Sequence, residues 1–68
     1  MKVFMYEEKI INLAEVKYID TFCVTRSNID IRFHMIGEGN DYVSLRSVKN
    51  TDVPKILEEC YKIMKEED

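Results

Sequence analysis

One histidine, His34, and two cysteines, Cys23 and Cys60, are the residues of this chain best suited to nucleophilic or metal chemistry. Nucleophilic catalysis needs a nucleophile, a base and an orienting group brought together. His34 adjoins neither a nucleophile elbow nor a glycine-rich oxyanion loop, which leaves Cys23–His34 as the one grouping to weigh. The pattern around His34 puts it on the solvent side of a strand, whereas Cys23 suits a core, so no catalysis is expected. A lone histidine with scattered acids makes no ligand cluster of metal-binding spacing, and the cysteines are far apart with no CxxC. Both are expected to be buried free thiols. Gly37-Glu38-Gly39 precedes a strand rather than a helix start, so it reads as a turn and not as a phosphate loop. No metal or cofactor is expected.

The richer chemistry lies in a row of polar residues between Asn28 and Ser47. Ile29, Ile31, Phe33 and Met35 alternate with Asp30, Arg32 and His34, the pattern of a half-buried antiparallel strand. After the turn, Tyr42, Ser44 and Arg46 share a parity opposite to Val43 and Leu45. Asp30, Arg32, His34, Tyr42, Ser44 and Arg46 should therefore form one sheet face that combines both charge signs with an aromatic ring, a mixture suited to a protein contact. An ordinary solvated face has the same alternation. A nucleic-acid surface would use Tyr42 and Phe22 for stacking, with Arg26, Arg32, Arg46 and Lys49 for phosphates.

Several elements must position that face. Residues 2–6 and 9–13 are rich in β-branched and aromatic types around Glu7-Glu8, which predicts a short hairpin or a bent pair of strands. Val3 and Met5 fall on one side of the first strand and Phe4 and Tyr6 on the other. One helix can cover only one of these sets, so a second copy of the chain is expected to cover the remainder. Val16 and Ile19 have a turn-like spacing, and Tyr18 to Thr25 reads as a strand of unclear facing. The central hairpin has two registers that keep its apolar residues together. Pairing Phe33 with Val43 and Ile31 with Leu45 sets Asp30 against Arg46 and is preferred over the alternative, which opposes Arg32 and Arg46. Thr51-Asp52-Val53-Pro54 is a helix start, with Thr or Asp as cap and Pro in the first turn. From there to about Glu66, Val53, Ile56, Leu57, Cys60, Tyr61, Ile63 and Met64 make one apolar stripe. The expectation is a single α+β domain over residues 1–68: an antiparallel sheet of four to five strands with one amphipathic C-terminal helix packed on one face.

Composition narrows the partners. At 46% hydrophobic and 34% charged the chain should fold, although a domain of 68 residues buries only ~60% of its unfolded surface. The net charge of −3 opposes broad attraction to nucleic acid or an anionic membrane. Residues 24–49 carry four Lys/Arg against three Asp/Glu, and residues 50–68 carry three against six, so the middle is mildly basic and the tail acidic. No apolar run approaches the ~20 residues of a membrane helix, and Val3–Tyr6 is too short for a signal-peptide core, giving a cytoplasmic protein as the expectation.

The stretch "IDIRFHMIGEGNDYVSLRS...TDVPKILEECYKIM", centred on "IRF", "GEGNDYVS" and the following helix, resembles the hairpin and C-terminal helix of small phage-encoded anti-CRISPR proteins that inhibit Cas9. It covers roughly half the chain. The resemblance implies a non-enzymatic inhibitor that binds a protein complex directly, with Glu38 and Asp41 at the turn and the acidic helix end placed where the target would hold DNA. The N-terminal strands depart from the helical start of that group. A second resemblance, through "NL.EV.YI...I.I.F", is to short flagellar FlbD-type and other small Firmicute or phage proteins, and it implies an accessory protein. Together these readings give a protein-binding module as the expectation, with nucleic-acid binding second.

Overall fold

The computed structural model describes residues 2–37, 39 and 41–66. Among the described residues, five strands, β1 (Val3–Tyr6), β2 (Lys9–Asn12), β3 (Val16–Cys23), β4 (Asn28–Met35) and β5 (Tyr42–Lys49), precede one helix, α1 (Val53–Met64). The class is α+β with antiparallel pairing throughout, but the strands form two sheets rather than one: β1–β2, and β3–β4–β5. The separation arises at a short 3-10 turn, Leu13–Glu15. There the Asn12 side-chain oxygen accepts a hydrogen bond from Ala14 N at 3.1 Å and Leu13 is buried, which redirects the chain out of the first sheet.

One face of the three-stranded sheet is sealed by the helix and the hairpin together. Ile31 and Phe33 of β4 and Leu45 and Val48 of β5 are buried with Val53, Ile56 and Cys60 of α1 and with Phe4, Ile11, Leu13 and Val16. The Phe4 and Phe33 rings stack at 6.3 Å. Burying each large side chain of this kind contributes about 1.5–3 kcal/mol, and a small domain depends on every one of them. The hairpin turns its Phe4 and Tyr6 side inward and leaves the cross-strand pair Met5 and Ile10 outside, 68% and 71% exposed. Its position is held by polar ties. Lys9 Nζ donates to Ser44 O at 2.7 Å on β5, and Lys2 Nζ donates to Met64 O at 3.1 Å at the helix end.

The preferred central register is the one adopted, with Phe33 opposite Val43, Ile31 opposite Leu45 and Arg32 opposite Ser44. It breaks at a bulge. Ile29 pairs with Val48, so Arg46 and Ser47 together stand across from Asp30. Ser47 takes the left-handed region at φ 56°, and its N–H donates to Asp30 Oδ1 at 2.9 Å, which offsets the cost of a non-glycine residue there. A second bulge lies in β3: Val16 pairs with Met35 and Tyr18 with His34, leaving Lys17 as the extra residue.

Several expectations are corrected. Cys60 is buried, but Cys23 is exposed, because the helix and hairpin do not reach the far end of β3. Tyr61 lies outside the buried stripe of α1, its ring beneath the Lys65 ammonium at 5.2 Å. The helix ends at Met64. Asp52 forms no side-chain cap, since its own backbone is already helical at φ −89°, ψ −17° after the 3-10 turn Asn50–Asp52. No helix among the described residues is long and apolar enough to cross a membrane.

Candidate functional site

The sheet face opposite the core is built from alternate residues of three strands. Register aligns Tyr18, His34 and Tyr42 in one row, Asp20, Arg32 and Ser44 in the next, and Phe22 with Asp30 in a third. The predicted residues Asp30, Arg32, His34, Tyr42, Ser44 and Arg46 thus occur on neighbouring strands as expected, and β3 adds Tyr18, Asp20 and Phe22 to them. Asp41 lies apart from the face in the β4–β5 loop, where its carbonyl accepts from Met35 N at 3.1 Å. Glu38, and Glu67 and Asp68 of the acidic helix end, fall outside the described residues.

Asp20 is the hub. Arg32 donates from Nε to Asp20 Oδ1 at 3.2 Å and from Nη2 to Oδ2 at 3.3 Å, a fork that fixes the guanidinium plane. His34 Nε2 lies 3.0 Å from the same Oδ1. A carboxylate only accepts, so Nε2 carries the hydrogen and a neutral imidazole leaves Nδ1 as the acceptor. The hydrogen bond from His34, joined by that from Arg32 and its charge, holds the Asp20 carboxyl below its usual range, although partial loss of water acts the other way.

Aromatic rings surround this cluster. The Tyr18 ring stacks on the His34 imidazole at 4.2 Å, and Tyr42 leans on its other side at 5.4 Å. The Arg32 guanidinium lies 5.3 Å from the Phe22 ring centre and 5.7 Å from that of Tyr42. Phe22, Tyr18 and Tyr42 remain 53%, 51% and 50% exposed. Phe22, Asp30, Arg32, Tyr42, Ser44 and Arg46 line a shallow cleft of about 270 Å³.

Two of the central residues, Tyr18 and Asp20, escape the sequence reading because the facing of β3 is not legible there. The available signal is their spacing: Tyr18, Asp20 and Phe22 are two apart, an acid between aromatics on one side of a strand. Chemically the cluster can present fixed rings, one fork-bound guanidinium and an oriented imidazole. Among the described residues, the only side chain hydrogen-bonded to His34 is Asp20. No group of three or more His, Cys, Asp or Glu that could hold a metal ion occurs among them either. No protein-family model, curated protein or solved structure matches this chain.

Proposed function

We propose that this chain is a non-enzymatic binding module that engages another protein or protein complex through the Tyr18–Phe22–Tyr42 face. The observation carrying the proposal is that three half-exposed rings surround polar side chains already held by one another. Tyr and Arg dominate binding energy at protein contacts, and groups fixed before binding lose little conformational freedom on association. The forked Arg–Asp pair with an imidazole on the same oxygen fixes these side chains before any partner arrives.

A photo-crosslinking amino acid at position 42, compared with one at Lys55 on the outer side of α1, tests the proposal. A discrete protein adduct from position 42 and none from position 55 is the expected result, and adducts from neither position sink it. The narrower form implied by the anti-CRISPR resemblance is that the partner is an RNA-guided nuclease. It predicts loss of DNA cleavage by such a nuclease when this protein is in excess, and unchanged cleavage removes it.

The nucleic-acid reading draws on Phe22, Tyr42 and the exposed Arg46 in one cleft. Against it, the Arg32 charge is already matched by Asp20, and each of these two rings has Arg32 over it. Binding to single-stranded DNA or RNA that weakens steeply with salt would favour this reading, and none at low salt eliminates it.

A further inference from the structure

The two outer edges of the three-stranded sheet are treated differently. β5 is guarded: the β1–β2 hairpin stands beside it, and Lys9 Nζ donates to Ser44 O at 2.7 Å. The other edge strand, β3, pairs among the described residues only with β4, so over eight residues its alternate backbone groups point away from any ladder. Such edges are normally blunted by proline, inward charge or a covering segment. β3 has no proline, and its one lysine, Lys17, sits in the bulge at the strand's start.

Its side chains add to the exposed edge. Tyr18 and Phe22 are half exposed on the open face, and Val24 follows directly beyond the strand at a similar exposure. On the core side Ile19 is half buried, while Thr21 and Cys23 project beyond the reach of the helix. The strand therefore offers uncovered surface on both faces and along its backbone. By contrast, the outward Met5–Ile10 pair is two side chains on a hairpin of four-residue strands.

We propose that the free edge of β3 pairs antiparallel with β3 of a second copy, joining two three-stranded sheets into one continuous sheet. An identical strand is a suitable occupant on charge grounds. Asp20, the only acid of β3, is already matched by Arg32 and His34, so two such edges meet without an uncompensated carboxylate. The two-fold axis stands perpendicular to the sheet, because antiparallel partners share faces. Both open faces then lie on the same side of the joined sheet, and the partner-binding face is left uncovered.

The mass in solution, measured by light scattering from about 1 µM to about 1 mM, should rise from 8.1 kDa toward twice that value. Hydrogen exchange on the unmodified protein should slow with concentration at the β3 amides that do not donate to β4, and leave β5 unchanged. The Thr21→Lys/Cys23→Lys double substitution should weaken self-association about tenfold or more by crowding like charges along the edge. A mass fixed at the monomer value across the range overturns the proposal, and so does a dimer whose β3 amides exchange at the same rate at every concentration. Should the substituted chain fail to fold, the exchange measurement decides alone.

Discussion

The two faces of β4 carry different tasks within one strand. Ile31 and Phe33 are sealed against the hairpin and helix, while Arg32 and His34, each one residue away, are held only by neighbours on an open surface. On the covered side the interactions are shape and area, which make the fold. The open side has little burial to give, and its order comes from directional bonds centred on Asp20. Substitutions should therefore separate cleanly into those that unfold the protein and those that leave it folded with an altered surface.

The sharpest break in that contrast comes from Phe33→Ala. Deleting a fully buried aromatic side chain costs about 3–5 kcal/mol, most of the stability of a domain this size. Circular dichroism and urea titration should find it largely unfolded, and a stable fold would mean the core is not where Phe33 places it. Cysteine reactivity tests the same division chemically. Burial, with some help from the Glu59 charge, raises the Cys60 thiol to about 11, whereas Cys23 is exposed. Iodoacetamide near pH 8 should label Cys23 in the native protein and Cys60 only after denaturation, as read by peptide mass.

A smaller effect is expected at Asp20, and it has a definite sign. Its carboxyl is held below the ordinary value of 3.8, so the stability it adds is present above that value and is lost as pH falls through the lower, folded value. Asp20→Asn should lower the melting temperature near pH 6–7 and have progressively less effect toward pH 2, where the two curves meet. Parallel curves would disconnect Asp20 from the cluster. The smallest effect on stability belongs to Tyr42→Ala, within about 0.5 kcal/mol as for surface substitutions generally, while partner capture through this face is lost. A large drop in stability would move Tyr42 from recognition to structure.

What was legible in the sequence follows the regularity of each strand. β4 keeps strict alternation from Ile29 to Met35, so its facing and the pairing of Phe33 with Val43 could be read directly. β3 could not, because the bulge at Lys17 inverts parity midway: Val16 faces the core from an even position and Ile19 from an odd one. Thr21 and Cys23 then occupy core-side positions while the aromatics Tyr18 and Phe22 point outward, the reverse of a hydrophobic pattern. Asp20, the centre of the candidate site, was hidden by that inversion. The division into two sheets was equally silent, since it is made at the short 3-10 turn Leu13–Glu15 and not by composition. Helix α1 announces itself by period, and it departs from that reading at Tyr61, at the cap and at its end, Met64 rather than Glu66.

The bulges also bear on how such a chain can change over evolutionary time. A single inserted or deleted residue ordinarily ruins a strand by turning every later side chain inside out. At Lys17 and Ser47 one such extra residue is already accommodated, and Leu45 and Val48 both reach the core from either side of the second. Loss of Ser47 would restore plain alternation with Val48 still opposite Ile29 and facing the core, whereas keeping Ser47 without the bulge would carry Val48 outward and Lys49 inward. Length is therefore as much a part of this protein's code as residue identity, and related sequences should be aligned with gaps allowed inside strands at these two places.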